Sequence, residues 1–297
     1  MLQEGIDAYI SSLSPDEEGR EGTNQNTIVA YRNDLNQASA YLTRQGVEDW
    51  QQVTRAHIAA YLLEMRDDLA YRPTTIARKL ASLKTFFRHL RANGTLAVDP
   101  IEDMNAPRIQ KEPPRVLSNE QAADLFRQVA AVSPVGIRDL AMLHLLYATG
   151  MRVSELVALN LEHIDLEQAT VVCAGRNGKN KRERVLPLSP LALEQIKNYL
   201  ASARQRLTQH HPGEQALFVN HHGERLTRQG FWLIIKGYAR QANITDITPH
   251  MLRHSFAILM LQNGMELRSV QELLGHAHIA TTQVYSQLAR ESIKTTV

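Results

Sequence analysis

The segment DPIEDMNAPRIQKEPPRVLS, residues 99–118, sets the strongest limit on the fold. It holds Pro100, Pro107, Pro113 and Pro114 with charges between them. Proline lacks an amide hydrogen, fixes its own φ and pushes the preceding residue out of the helical region. No helix or central strand runs through such a stretch, so the chain should divide there. The expected parts are a first domain over 1–107, a linker over 108–116 and a second domain over 117–297. With 297 residues, 43% of them hydrophobic, both parts can bury a core.

The two parts carry different patterns. Before the linker, apolar residues recur at helical spacing and no strand signal occurs. Helices are expected over 26–46, closed by Gly46, over 54–68 behind the N-cap candidate Thr54, and over 72–91. After the linker, Ser118 with Gln121 forms a capping-box pattern. LAMLHLLYATG reads as a buried helix stopped by Gly150. ATVVCAG (169–175) and RERVLPLS (182–189) read as paired strands joined by the polar turn RNGKNK. Further helices are expected near 190–209, 227–241, 249–263, 267–274 and 279–290, with Thr248 and Pro249 opening the third of these.

The net charge of +2 conceals a strong asymmetry. Residues 1–71 carry five arginines against twelve acids, whereas residues 72–91 carry six Arg or Lys and no acid. In that stretch Ile76, Leu80, Leu83, Phe87 and Leu90 share one helix face, with Lys84, Arg88 and Arg91 on its flank. Such a helix can pack inward and offer cations outward. Phe86 and Phe87 fit a packing role better than base stacking. The stripe makes Arg72, Arg78, Lys79, Lys84, Arg88 and Arg91 candidate phosphate-backbone contacts, a solvated helix face being the other reading. Arg176, Lys181 and Arg182, in and beside the hairpin turn, join them.

The apolar runs are too short to span a bilayer, the first residues lack the marks of a signal peptide, and Cys173 is the single cysteine. A reducing, cytoplasmic setting is expected, with no membrane association and no disulfide.

Several residues stand where local structure does not need them. Arg152 emerges after a buried helix, with Glu155 three positions on to orient it. Lys179 lies at the hairpin tip. His250 and Arg253 share one face of a helix start in TPHMLRH. His276 follows a helix end, and Tyr285 lies nine residues beyond it. Singly, each has a structural explanation: a surface ion pair, a solubilising lysine, a capping histidine, a packing tyrosine. Together, two arginines, two histidines, a lysine and a tyrosine suit attack on a phosphodiester. Guanidinium groups match the anionic oxygens, imidazoles donate to them or accept a proton, and a tyrosine can form a covalent phosphoester. A metal site on His250 and His254 is disfavoured, because HMLRH lacks the glutamate of the zinc-protease pattern and Arg253 adds charge of the wrong sign.

Through LLYATGMRVSELVAL, GKNKRERVLPL, TPHMLRHSFA and LLGHAHIATTQVYSQL, in order and spacing, the chain resembles the tyrosine recombinases, the phage-integrase-like enzymes. TIVAYRNDL and TTIARKLASLKTFFRHL extend the resemblance to the first part, and the two-domain layout is most similar to the Xer branch. The fold this implies is mainly α. An all-helical N-terminal core-binding (SAM-like) domain precedes a mixed, mostly helical catalytic domain with a small antiparallel β-sheet. The resemblance implies that Tyr285 attacks the scissile phosphate and becomes linked to the 3′ end. It implies that Arg152 and Arg253 clamp the phosphate, that His250 and His276 bond it, with His250 the better general-base candidate, and that Lys179 protonates the leaving 5′ oxygen. The hairpin is longer than the usual GKGxKxR, so Lys181 stands as the alternative to Lys179. Glu155 and His254 take orienting roles. No cofactor is implied. The implied partners are double-stranded DNA carrying a specific site, copies of the chain in a tetramer or a second related recombinase, and a DNA translocase. Resolution of chromosome or plasmid dimers is the expected role. Integration of a mobile element, a relaxing topoisomerase, a non-catalytic DNA-binding regulator and a metal-dependent nuclease are the alternatives.

Overall fold

The computed structural model of the chain describes residues 1–14, 23–106, 115–173, 183–275 and 283–285. It divides into two compact units, Met1–Lys111 and Glu112–Val297. Most of the expected linker, and residues 174–182, 276–282 and 286–297, lie outside the described residues.

The described part of the first unit is helical, with α1 (Leu2–Ser12), α2 (Gln25–Arg44), α3 (Arg55–Asp67) and α4 (Pro73–Ala92). Thr54 caps α3, its side chain accepting from the His57 amide. Helix α1 had no counterpart in the periodicity reading; it is short, and Leu2, Ile6, Tyr9 and Ile10 alone form its buried face. The core is aromatic at its centre, where Trp50 meets Phe86 and Phe87 edge-on and donates through Nε1 to the Leu2 carbonyl at 2.8 Å. Phe86 and Phe87 are fully buried, as the packing reading requires.

The second unit begins with α5 (Asn119–Arg127), whose Ser118–Gln121 capping box forms as the sequence indicates. Helix α6 (Pro134–Thr149) runs through the main core. It ends at Gly150, which has φ 59°; a Cβ there would lie 2.2 Å from the Phe256 ring, so only glycine fits. A short α7 (Val153–Ala158) follows directly. The sheet has strands β1 (Ile164–Asp165), β2 (Thr170–Cys173) and β3 (Arg184–Pro187) in that order, all antiparallel, one strand more than the expected pair. Helix α8 (Pro190–Asn198) continues through a wider turn at Tyr199–Arg204 into α9 (Gln205–Leu207). Then come α10 (Arg228–Gln241), α11 (Pro249–Gln262) behind the Thr248 cap, and α12 (Leu267–Leu274). A small separate core joins Phe256, Ala257 and Ile258 of α11 with Val270 and Leu274 of α12 and with Tyr285. Among the described residues, no helix is long and apolar enough to cross a membrane.

Candidate active site

Three helix ends meet at the candidate site: the C-termini of α6 and α12 and the N-terminus of α7. Carbonyls at helix C-termini lack partners within the helix and carry partial negative charge. Arginines supply the missing donors. Arg253, on α11 and 4% exposed, donates from NH1 to the Gly150 carbonyl and from NH2 to the Leu274 carbonyl, both at 2.5 Å. Arg152 donates from NH2 to the Gly275 carbonyl at 3.0 Å. Both arginines are thus anchored by main chain that the sequence marks with glycine.

Glu155 orients Arg152, as its spacing suggests. Its Oε1 accepts from Arg152 NH1 at 2.9 Å and its Oε2 from the Arg152 amide at 2.7 Å. A third arginine shares the carboxylate, with Arg184 NH2 reaching Oε2 at 2.9 Å. Burial alone would raise the Glu155 pKa, but the Arg152 amide and the charges of Arg184 and Arg152 outweigh it and hold the group ionised. Burial, with repulsion from Arg152 and Arg184, lowers Arg253 to about 10. Three guanidinium groups around one carboxylate leave a surplus of two positive charges in a partly desolvated place. Such a place attracts an anion of fixed geometry.

Tyr285 is 2% exposed, and its hydroxyl lies 2.6 Å from His254 Nδ1. Burial raises the phenol pKa while the charge of Arg253 opposes the rise. Burial first, then His250 and Arg253, push His254 down to about 4, so its imidazole is neutral near pH 7. His250 is exposed in the first turn of α11, its ring 6.1 Å from that of His254. His250 is the expected general base; the imidazole in contact with the tyrosine hydroxyl here is that of His254. Four residues of helix place both rings on one face.

Arg152, Glu155, Arg253, His254 and Tyr285 are therefore brought together from segments spread over 134 positions, 152 to 285. Lys179, His276, Arg176, Lys181 and Arg182 lie outside the described residues. Arg184 was read only as part of a strand. Alternation carried the missing signal: with Leu186 buried, Arg184 must share its face. Cys173, opposite Arg184 in the sheet, is a buried thiol raised to about 11 by burial. Among the described residues, no group of three or more His, Cys, Asp or Glu could hold a metal ion.

The basic stripe of the first unit needs one correction. Lys79 is buried, not offered outward: its Nζ contacts Asp34 at 2.8 Å and Gln37 at 2.6 Å. It sits on the packing side of α4, where only a paired charge is tolerated. Arg78 also binds Asp34 through both terminal nitrogens but keeps 52% of its side chain exposed. Lys84 and Arg91 reach the Glu102 carbonyl and carboxylate, at 3.0 Å and 3.1 Å. Arg72 and Arg88 are exposed.

Comparisons with known proteins cover both units. Residues 115–292 match the family described as phage integrase family, and residues 6–94 match its N-terminal SAM-like domain. The chain is 43% identical over 296 residues to tyrosine recombinase XerC of Roseiflexus castenholzii, covering 99% of this chain and 92% of the relative. It is 40% identical to tyrosine recombinase XerD of Listeria innocua, covering 92% of each. Among solved structures it resembles XerH recombinase bound to palindromic difH, with TM-score 0.72, 19% identity and coverage of 99% and 93%. It also resembles the Tn1549 transposon integrase with circular intermediate DNA, with TM-score 0.74, 18% identity and coverage of 96% and 94%. At those identities the structural likenesses establish the fold.

Proposed function

The chain belongs to the phage integrase family of tyrosine recombinases, and on that premise we propose that it cuts and rejoins double-stranded DNA at a specific site through a 3′-phosphotyrosine. The observation that carries the reading is the placement of the Tyr285 hydroxyl on His254, one residue from the buried Arg253.

Each residue then has a physical task. Arg152 and Arg253 bind the non-bridging oxygens of the scissile phosphate, whose charge grows in the transition state. Glu155 holds Arg152 in place. The Tyr285 oxygen attacks phosphorus as its proton leaves to a neutral imidazole. His254 holds the hydroxyl, and His250 and His276 bond the phosphate. Lys179, with Lys181 as the alternative, protonates the departing 5′ oxygen. The phosphotyrosine keeps the energy of the broken bond, so a 5′ hydroxyl from a second strand reverses the step onto a new partner.

Exchange of two strand pairs calls for four protomers, either copies of this chain or copies with a related recombinase, and a DNA translocase is a further candidate partner. The exposed stripe residues Arg72, Arg78, Arg88 and Arg91 supply backbone contacts and a salt-dependent affinity. Resolution of chromosome or plasmid dimers in the cytoplasm is favoured over integration of a mobile element, because the chain is 43% and 40% identical to the XerC and XerD relatives over nearly its whole length. The test uses a nicked duplex carrying a site recovered from genomic DNA by selection for binding. Wild type should form a denaturant-resistant protein–DNA adduct and Tyr285→Phe none. An adduct that persists in Tyr285→Phe rules out this nucleophile.

A further inference from the structure

Arg152 has two anchors, and one side chain controls both. The first is the Glu155 carboxylate, whose Oε2 is shared between the Arg152 amide at 2.7 Å and Arg184 NH2 at 2.9 Å. The second is the Gly275 carbonyl, which accepts from Arg152 NH2 at 3.0 Å. Gly275 ends α12 at φ 64°, and a Cβ there would lie 2.0 Å from Arg184 NH1. The guanidinium of Arg184 therefore packs against the glycine while it grips the carboxylate. Its own side chain is only 16% exposed, and its Nε is buried without a hydrogen-bond partner among the described residues. An ordinary ion pair between Arg152 and Glu155 needs no second, largely desolvated cation on the same carboxylate, since that desolvation costs stability.

We propose that Arg184 is a positioning residue for strand cleavage: by holding Glu155 and packing on Gly275 it fixes the Arg152 guanidinium where the scissile phosphate must bind. Lysine would keep the charge but cannot grip a carboxylate and cover a glycine together. This inference rests on the strand-transfer reading. Misplacing a phosphate clamp by about 1 Å costs roughly 10²-fold in rate.

The test measures DNA affinity and the single-turnover cleavage rate at saturating DNA separately, on the nicked duplex described above. Arg184→Met should bind within about 3-fold of wild type, because backbone contacts elsewhere dominate affinity, and cleave about 10²-fold more slowly. Arg184→Lys should recover part of the rate. The double variant Arg184→Met with Glu155→Gln should lose no more than the worse single variant, since both act through one carboxylate. A purely structural arginine would lower thermal stability and leave the saturated rate alone. Wild-type cleavage by Arg184→Met, or additive losses in the double variant, overturns the inference. If Arg184→Met does not fold, Arg184→Lys decides: a reduced rate at unchanged affinity supports the positioning role, and a wild-type rate overturns it. Should the wild-type chain itself form no adduct, the strand-transfer reading fails first.

Discussion

Asp34 in the first unit and Glu155 in the second are both carboxylates surrounded by cations, yet they keep different company. The four contacts on Asp34 all come from α4, through Arg78, Lys79 and Ser82, and Lys79 turns its remaining reach to the side chain of Gln37. Side chains satisfy side chains, and the cluster ties α4 to α2. Around Glu155, Arg152 and Arg253 spend donors on main-chain carbonyls at helix ends, those of Gly150, Leu274 and Gly275. A carbonyl is a weaker partner for guanidinium than an anionic oxygen. The first cluster is closed; the second holds its cations ready for a stronger ligand.

Arg253→Ala should separate the two most sharply. It should lower the cleavage rate at saturating DNA by about 10²–10³-fold, read as adduct formed per unit time. Asp34→Asn should cost about 3 kcal/mol of stability in a urea titration, because Lys79 is left buried without its counter-charge, while cleavage by the folded fraction stays near wild type. A cleavage loss in Asp34→Asn as large as that of Arg253→Ala would erase the distinction. The smallest effect concerns pH. His254 has its folded pKa near 4 against an ordinary value of 6.5, so it resists protonation that the unfolded chain accepts. Its contribution is fully present above pH 6.5 and is lost as pH falls from about 6.5 towards about 4. His144 shifts in the same direction by burial, so the His254 share is the difference between wild type and His254→Asn in unfolding midpoint across that window. An identical slope in the two would place His254 in a more solvated setting than its contact with Tyr285 implies.

Much of the architecture was legible in the sequence because its signals are local. The Ser118 and Thr248 caps bond residues three positions away, and Gly150 and Gly275 answer a backbone demand within their own turn. The apolar stripe from Ile76 to Leu90 lies inside as its spacing requires. The site was legible as a set of chemical types, less so as contacts. Neighbouring Arg78 and Lys79 look interchangeable in sequence, yet one is half exposed and the other buried, since successive residues on a helix point about 100° apart. Arg184 carries no local mark in the sequence, because a charge beside a polar turn reads as solvated until the strand's inward face is known.

The sequence by itself determined where caps and glycines open and close several of the helices, and it marked the Pro-rich segment and a set of residue types suited to a phosphodiester. These rest on hydrogen bonds and periodicities spanning a few residues, which hold wherever the segment is placed. Only the tertiary structure decided that His254 meets the Tyr285 hydroxyl 31 positions away, that Arg152 reaches a carbonyl 123 positions on, and that Arg184 shares Glu155 across 29. Those pairings depend on which helix ends pack together, and burial then sets which charges stay paired, which pKa values move and which cations remain in surplus.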